Sequence, residues 1–558
     1  MLIDSKNLSV VFVSCHIEEG PEAVPLGAAS VAANLKKHFA DSISIHLVET
    51  FLTPVSASKN IVDGLLQKLS KYHADVIGFS MYSWNREIMT GAAAAIKAKH
   101  KDCFLFCGGP EVTALPKGLS LSEGGPFDSV ICGEGELAAQ NIISTYLNHQ
   151  TPLPFFPNTN IPVEEMTTLP SPWLENILNA KERGGVLWEL ARGCPYACTY
   201  CYESKGAKNL RYFPDERILA ELDYFAAAKP SSVFVLDPTF NTNKERAKKI
   251  LQAIIKKAPK IHWHFEVRGE LLTKEQARLF SELNTSLQIG LQSSNPKVCA
   301  LSGRTFNPDV LASKISLLHE AGVSFGLDLI YGLPGDSLDG YKKSLDFALA
   351  LYPDNLDMFK LSVLPGTIMY DQAETQGLTA TQEPPYQLIS GKTFSEKDLY
   401  EAEKLSRAAD LFYNRGRSVA WFMQMLYPLG KKPSKFLESF ADFLRKQKID
   451  IASINPAEFK DSFHIEKLQL SFLDTCYTTA KKDYLLPLVW DIVRFHAAWG
   501  RALAEGISTE IICHYHPDEI FNSGTMDIEE MAEDLEPFNC KVFVKTLPEG
   551  PEYSVNKK

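Results

Sequence analysis

The chain has 558 residues, of which 45% are hydrophobic and 22% charged, a composition typical of soluble globular proteins with several domains. Its 57 basic and 68 acidic residues give a net charge of −11, which provides no general attraction for nucleic acid or an anionic membrane. There is no apolar run long enough for a transmembrane helix and no secretory signal, and the 11 cysteines are spread thinly. These features predict a cytoplasmic protein and exclude a secreted disulfide framework.

Residues 1–150 alternate short apolar runs with helix-like stretches. Apolar strands that alternate with helices are typical of a parallel sheet covered on both faces, so this region is predicted to be a doubly wound α/β domain. The predicted strands are LSVVFVSC, SISIHLVET, DVIGFSM, CFLFCGG and DSVICGEGE. Small residues stand where three of them end, at Gly78–Ser80, Gly108–Gly109 and Gly133–Gly135. Ligands of doubly wound sheets bind beyond such strand ends.

Residues 151–182 are rich in proline and are predicted to form a linker. A second alternation of strands and helices follows over residues 183–375. Its predicted strands are GGVLWELARG, SSVFVLDPTF, KIHWHFEVRG, TSLQIGLQS, GVSFGLDLIYG and LDMFKLSVLPG. Six such units predict a (β/α)6 partial TIM-like barrel, with chemistry at the carboxyl ends of its strands. Asp237, at the end of the second strand, is expected to fix a turn.

Residues 376–558 are predicted to form a mostly helical domain, with one strand at CKVFVKTLPEG near the end. The stretches SVAWFMQMLYPLG and LPLVWDIVRFHAAWG are rich in aromatic residues and methionine. Such stripes usually form core, although they could also close a barrel mouth. No motif in this region indicates a particular chemistry.

Three cysteines, Cys194, Cys198 and Cys201, lie within eight residues directly after the first predicted barrel strand. Three thiolates on one loop hold three irons of a [4Fe–4S] cluster and leave the fourth iron open to a small ligand. A structural zinc site needs a fourth ligand, and no nearby Cys or His supplies it. The alternative, three unrelated buried thiols, leaves the agreement between motif, loop and barrel unexplained.

The sequence CPYACTYC resembles the CxxxCxΦC signature of radical S-adenosylmethionine (SAM) enzymes, with Tyr200 at the aromatic position. The resemblance extends over residues 183–375. It implies that SAM chelates the open iron, and that an electron from the cluster cleaves SAM to a 5′-deoxyadenosyl radical that abstracts hydrogen from the substrate. It also implies an electron donor such as flavodoxin or ferredoxin as a partner.

By the same resemblance, the SAM side of the cavity is formed by Tyr200, Glu266, Arg268, Gln292 and Ser293. The polar side chains among them suit the ribose hydroxyls, the ammonium group and the carboxylate of SAM. Structural roles remain open for four of these residues. Glu266 and Arg268 could instead form an ion pair, and Gln292 and Ser293 could cap a strand end.

The first 150 residues resemble the cobalamin-binding domain that often precedes a radical SAM barrel, in the stretches PEAVPLGAASVAANLKKH, DVIGFSMYSWN, CGGPEVTALP and SVICGEGE. The resemblance implies that a corrinoid lies over the strand ends. Its predicted contacts are Ser80, Met81, Tyr82, Gly108, Gly109, Gly133, Glu134 and Gly135. The Asp-x-His-x-x-Gly motif, whose histidine ligates cobalt, is absent. His16 stands near its place but is interpreted as a loop residue. A degenerate domain that binds no cobalamin is the alternative.

The favoured function is a cobalamin-dependent radical SAM methyltransferase that acts on an unactivated carbon of an unknown substrate. Radical cyclisation or rearrangement without methyl transfer, and a cobalamin- or cluster-dependent sensor, are the alternatives. Methylthio transfer to tRNA is disfavoured, because that family needs a second cluster held by N-terminal cysteines. The remaining cysteines are interpreted as small core hydrophobes: Cys15, Cys103, Cys107, Cys132, Cys299, Cys476, Cys513 and Cys540.

Overall fold

The chain folds into two parallel α/β sheets in series, followed by a helical region that ends in a small antiparallel sheet. The computed structural model describes residues 7–52, 58–148, 150, 155–157, 163–203, 209–452, 459–521 and 526–557. Within these residues, no helix has the length and apolar character needed to cross a bilayer. The predicted combination of a doubly wound sheet, a six-stranded partial barrel and a mostly helical C-terminal region is confirmed.

The first sheet has six parallel strands in the order β2-β1-β3-β4-β5-β6. They are β1 (Leu8–His16), β2 (Ile43–Phe51), β3 (Val76–Ser80), β4 (Phe104–Gly108), β5 (Ser129–Cys132) and β6 (Phe155–Pro157). The helices that connect them are α1 (Leu26–Phe39), α2 (Ser58–Leu69), α3 (Arg86–Lys99), α4 (Pro110–Ala114) and α5 (Gly135–Leu147). The strand order reverses beside β1, which is where doubly wound sheets form their ligand crevice.

Both faces of this sheet are covered, as the apolar strands predict. Along β1, Val10 and Phe12 pack in one apolar cluster with residues of α1 and α5. Val11 and Val13 belong to a second cluster with residues of α2 and α3. Successive side chains therefore enter two different layers, in keeping with the two-residue period of a strand.

The segment that connects the two sheets is more structured than the predicted linker. Part of it, residues 151–154 and 158–162, lies outside the described residues. The strand β6 is the last strand of the first sheet and pairs in parallel with β5. Met166 and Trp173 are buried in the apolar core of the second sheet. The prolines thus occur in a segment that packs against both sheets.

The second sheet also has six parallel strands, in the order β7-β10-β11-β12-β13-β14. They are β7 (Gly185–Trp188), β10 (Ser232–Val235), β11 (His262–Val267), β12 (Thr285–Gln292), β13 (Ser324–Tyr331) and β14 (Asn355–Lys360). The helices of this region are α6 (Ala180–Arg183), α7 (Asp215–Ala228), α8 (Lys244–Lys257), α9 (Lys274–Ser281), α10 (Pro296–Leu301), α11 (Pro308–Ala321) and α12 (Leu338–Leu349). Along β11, Trp263 and Phe265 are fully buried, whereas the alternate residues His264 and Glu266 are partly exposed on the inner face.

The first predicted barrel strand is interrupted. After β7 the chain forms a separate short strand, β8 (Ala191–Arg192), which pairs in antiparallel fashion with β9 (Arg211–Tyr212). The break occurs at Leu190 and Ala191, whose backbone N–H groups donate to Asp237 Oδ1 at 2.9 and 3.0 Å. Asp237 therefore fixes the break after the first strand, whereas the sequence predicted that it fixes the turn after its own strand.

The C-terminal region is mostly helical. Its helices are α13 (Ile368–Asp371), α14 (Ala373–Gln376), α15 (Glu396–Ala409), α16 (Phe422–Leu426), α17 (Pro433–Lys446), α18 (Ser462–Thr479), α19 (Leu486–Ala504), α20 (Pro517–Phe521) and α21 (Ile528–Asp534). A short π-helical segment, Asp410–Arg415, continues α15. Its Phe412 packs at the centre of an aromatic cluster, with ring centroids 5.0 to 5.2 Å from Phe440 and Phe436. Trp421 and Phe422 of the first aromatic stripe pack against Phe412, and Phe495 of the second stripe is fully buried, so both stripes contribute to the core.

The region also contains β-structure that the sequence pattern did not predict. A two-stranded ribbon consists of β15 (Thr379–Ala380) and β16 (Leu388–Ser390). A three-stranded antiparallel sheet consists of β17 (Thr509–Cys513), β18 (Cys540–Lys545) and β19 (Glu552–Lys557). Only β18 was expected. The edge strand β19 is mostly exposed and polar, so it carries no apolar pattern.

Candidate functional site

A cavity of about 500 Å³ lies between the two sheets, at the carboxyl ends of the strands of both. The first sheet lines it with residues at the ends of β3, β4 and β5 and at the start of α1. The second sheet contributes residues after β7 and β10, together with Arg192, Gly193, Tyr202 and Arg211. Each of the two sheets thus directs its expected ligand-binding edge into one shared space.

Glycines form much of the wall that belongs to the first sheet. Gly109 has φ +121°, and a side chain there would overlap the backbone of Met81, so only glycine fits. A Cβ at Gly108 would meet only Ile131, at 3.5 Å. Gly133 and Gly135 line the same wall. These positions allow a flat ligand to approach the backbone closely, which is what a corrinoid ring requires.

The predicted corrinoid contacts divide into two groups. Those that line the cavity are Ser80, Tyr82, Gly108, Gly109, Gly133, Glu134 and Gly135. Met81 does not: its side chain is fully buried in the apolar cluster that covers the other face of the sheet. Glu134 lies in the wall, but its carboxylate is paired with the guanidinium of Arg211 at 2.6 Å and accepts the Val163 N–H. Its carboxylate is therefore held by protein groups.

None of the residues that line the cavity, all within the described part of the chain, is a histidine. His16 is the last residue of β1, and its Nε2 lies 2.8 Å from Glu49 Oε2. His16 therefore belongs to a strand and not to a loop as expected, and it is not among the residues that line the cavity.

The loop that carries the three cysteines is held at several points. The β8–β9 pairing joins its two ends. In the middle, Thr199 N–H donates to Ser302 O at 3.0 Å, and Thr199 O accepts from Met369 N–H at 2.9 Å. At its far side, Tyr202 Oη donates to Pro110 O of the first sheet at 3.1 Å. The loop is therefore fixed between the barrel and the cavity.

The three thiols are buried or half-buried: Cys194 is 8% exposed, and Cys198 and Cys201 are intermediate. Burial raises the pKa of Cys194 and raises that of Cys201 to about 11, and the neighbouring thiols of the loop add to both shifts. Within the described residues, no three His, Cys, Asp or Glu side chains converge on one metal ion. Three thiols on one loop suit a [4Fe–4S] cluster, in which each thiolate binds a different iron.

Arg268 lies against the cysteine loop, with its guanidinium carbon 4.0 Å from the centroid of the Tyr196 ring. Its ion pair is with Glu270, at 3.4 Å, and not with Glu266. Glu266 forms no ion pair within the described part of the chain. Burial, with smaller contributions from Asp328 and Glu203, raises the pKa of Glu266 to about 7. The structural alternative for these two residues, a mutual ion pair, is therefore not formed.

Two predicted SAM residues, Gln292 and Ser293, differ in their surroundings. A β-bulge between Gly290 and Gln292 gives Gln292 a φ of +66°, and its side chain lies over Gly290. Its buried Oε1 has no hydrogen-bond partner among the described residues. Ser293, in contrast, is fully buried and accepts the Asn295 N–H at 3.2 Å. Ser293 thus supports the start of α10. None of the five predicted SAM residues is among those that line the cavity between the two sheets.

Tyr200 is half-buried and contacts Arg304, a residue that the sequence pattern did not single out. Arg304 donates to Gly290 O and lies 3.4 Å from Glu270 Oε1. Arg304 Nε and Glu270 Oε2 are buried without a partner in the described part of the chain. Together with Gln292 Oε1, they leave unpaired donor and acceptor atoms beside the cysteine loop. Such atoms require a polar ligand or water, and the amino-acid part of SAM fits this requirement.

Comparison with known families identifies two domains. Residues 188–348 match the radical SAM superfamily, and residues 17–143 match the B12 binding domain. The chain therefore contains a radical SAM domain and a B12-binding domain. This domain content confirms the predicted cofactors, a [4Fe–4S] cluster, SAM and cobalamin.

The curated relatives of these two domains include named methyltransferases. The cobalamin-dependent radical SAM methyltransferase TokK of Streptomyces tokunonensis is 23% identical over 382 residues, covering 62% of this chain and 55% of TokK. The 2-(S-pantetheinyl)-carbapenam-3-carboxylate methyltransferase of Streptantibioticus cattleyicolor is 28% identical over 203 residues, covering 32% of this chain and 30% of that enzyme. The matches therefore span about half or less of each relative.

Solved structures share the fold of the radical SAM and B12-binding domains. The cobalamin-dependent SAM radical enzyme OxsB with aqua-cobalamin bound gives a TM-score of 0.58 at 14% identity, covering 86% of this chain and 80% of that one. The radical SAM methyltransferase TsrM of Kitasatospora setae, with cobalamin and a [4Fe–4S] cluster, gives 0.52 at 15% identity, covering 68% and 78%. At this identity, the likeness concerns the fold alone.

Proposed function

We propose that this chain is a cobalamin-dependent radical SAM methyltransferase that methylates an unactivated carbon. One observation carries the proposal: the strand-end glycines of the B12-binding domain and the residues that flank the three cysteines line the same cavity. A methyl donor and a radical generator are useful together only when both reach one substrate atom. The names of the methyltransferase relatives support the same reaction.

In this proposal Cys194, Cys198 and Cys201 hold the cluster, and the strand-end glycines hold the corrinoid. When bound, the cluster with SAM supplies a hydrogen-abstracting radical, and cobalamin supplies a transferable methyl group. The role of the protein itself is to bind and orient these groups and to keep water away from the radical. The residues that line the cavity on both sheets enclose the space between the two sites.

The residues beside the cysteine loop suit the polar parts of SAM. In the proposal, the carboxylate of Glu266 accepts from the ammonium group, and Arg268 and Arg304 face the carboxylate. Gln292 Oε1 is buried and has no partner among the described residues, and in the proposal it accepts a further hydrogen bond from SAM. An external electron donor such as flavodoxin or ferredoxin reduces the cluster.

The proposal is tested first by metal content. Protein reconstituted with iron and sulfide without oxygen, then incubated with hydroxocobalamin and desalted, should retain about four irons and about one cobalt per chain. Methyl-labelled SAM should then yield labelled product once a substrate is found. Four irons without cobalt would overturn the methyl-transfer proposal in favour of radical chemistry without methylation. Bound metals without 5′-deoxyadenosine formation would instead favour a sensor.

The role of Glu266 predicts a pH effect on SAM binding. Its pKa is about 7, so the carboxylate is mostly neutral at pH 6 and mostly charged at pH 8. Wild type and Glu266→Gln should bind SAM with similar affinity at pH 6. At pH 8 wild type should bind at least about tenfold more tightly, because a hydrogen bond to a charged group contributes about 1.5–3 kcal/mol. Equilibrium dialysis with labelled SAM measures both. If the ratio of the wild-type affinity to the Glu266→Gln affinity does not change with pH, Glu266 is not part of the SAM site.

A further inference from the structure

A network of ion pairs joins the corrinoid wall of the cavity to the cysteine loop. Arg192, two residues before Cys194, donates from Nη2 to Glu136 Oε1 at 2.6 Å and from Nε to Glu189 Oε1 at 2.8 Å. Glu136 lies at the start of α5, next to Gly135, whereas Glu189 lies at the end of β7. One guanidinium therefore links the two domains.

The other end of the cysteine loop is linked in the same way. Arg211, which pairs with Arg192 across the β8–β9 ribbon, donates two hydrogen bonds to the carboxylate of Glu134, at 2.6 and 3.1 Å. Both ends of the loop thus contact Gly133–Glu136, the segment that follows β5. These side chains line the cavity, so the contacts lie beside the proposed cofactors.

The pair between Arg192 and Glu136 is withdrawn from solvent, with side-chain exposures of 14% and 5%. Burial alone would raise the pKa of Glu136, but the charge of Arg192 holds it below its usual value. Separating two such groups leaves an uncompensated buried charge, which is strongly unfavourable. Movements that separate the corrinoid segment from the cysteine loop at this pair are therefore unfavourable.

We propose that Arg192 is a positioning residue whose ion pair with Glu136 couples the two cofactor sites, so that each cofactor binds more tightly when the other is present. The inference rests on the proposed function, since it requires a cluster on the cysteine loop and cobalamin in the cavity. A cofactor that orders one segment orders the other through the pair, and the second cofactor then loses less conformational freedom. Because such coupling is reciprocal, it is measurable from either side.

The test compares cobalamin dissociation constants for the full chain with and without its iron–sulfur cluster, by equilibrium dialysis of hydroxocobalamin without oxygen. In wild type the constant should be at least about fivefold lower when the cluster is present. In Glu136→Gln the ratio of the two constants should fall to about one. Any direct effect of Glu136 on cobalamin changes both constants equally, so the ratio isolates the coupling. Arg192→Lys, which retains the charge but not the planar fork, should give an intermediate ratio.

The chain offers a matched control in a second inter-domain ion pair, between Arg183 and Glu49. Its side chains are 23% and 20% exposed, and neither residue lines the cavity. Glu49→Gln should therefore retain the wild-type ratio. The fraction of iron retained at equilibrium against a chelator gives the reciprocal measurement: cobalamin should raise this fraction in wild type and in Glu49→Gln, but not in Glu136→Gln.

The outcomes separate the two hypotheses. If wild type binds cobalamin with the same affinity with and without its iron–sulfur cluster, the proposed coupling is wrong, whereas the proposed function stands. If Glu136→Gln keeps the full wild-type ratio of the two dissociation constants, the coupling does not run through this pair. If Glu136→Gln does not fold, Arg192→Lys takes its place in this test. If wild type binds no cobalamin in either state, the proposed function fails and the coupling with it.

Discussion

Replacing Cys198 with alanine should remove the iron–sulfur cluster and leave the fold intact. In the proposed cluster each thiolate holds its own iron, so the loss of one thiolate leaves that iron without its cysteine ligand. Cys198 is only half-buried, so the change removes one sulfur from the edge of a loop and creates no large core cavity. Iron should fall from about four per chain to background, and 5′-deoxyadenosine formation should be lost with it.

Iron analysis, the visible spectrum and circular dichroism check this result. Cys476→Ala is the matched control, because Cys476 is a buried thiol in α18 of the C-terminal region, far along the chain from the loop. It should keep full iron and full SAM cleavage. Cobalamin affinity of Cys198→Ala should equal that of cluster-free wild type. A Cys198→Ala protein with four irons and active SAM cleavage would rule out the proposed cluster ligands.

The features that the sequence predicts well are those set by local spacing. The three cysteines lie on one loop because they are close in the chain and follow a strand. The strand-end glycines line one cavity because parallel strands bring their carboxyl ends to the same edge. The six-unit alternation of the barrel follows from the apolar pattern of its strands. Each of these predictions depends only on residues that are close to one another in the sequence.

Predictions of single side-chain directions were less successful where strands end. At β12 a bulge changes the register between Gly290 and Gln292. The alternation of side chains between the two faces of the strand therefore no longer determines the direction of the Ser293 side chain. Ser293 instead supports the start of α10. Met81, one residue beyond β3, likewise places its side chain in the apolar layer. The two-residue period holds within a strand and gives no information beyond its last residue.

Contacts between distant segments were not predictable from one sequence. Glu134 was expected to contact a corrinoid, yet its carboxylate pairs with Arg211, 77 positions away. Arg304 and Glu270 carry no motif. Arg304 contacts Tyr200 and Glu270, which lie on separate segments of the chain. Charged residues on separate domains become partners only when those domains pack together.

Replacing Gly108 with valine should abolish cobalamin retention without removing iron. A Cβ at Gly108 would lie 3.5 Å from Ile131, an ordinary contact, so the backbone accepts a side chain there. The remaining methyl groups would then occupy the wall of the cavity. Because overpacking of a fitted surface costs about 1–3 kcal/mol, hydroxocobalamin should bind about 10- to 100-fold more weakly.

Gly64→Val is the matched control for this substitution. Gly64 lies on the exposed side of α2 in the same domain, and a Cβ there meets no atom within 4 Å. It adds the same atoms outside the cavity and should leave cobalt retention unchanged. Gly108→Ala, which adds only the Cβ, should weaken binding less than valine does. If Gly108→Val retains cobalt as wild type does, the corrinoid does not lie over the end of β4, and the shared cavity no longer supports methyl transfer.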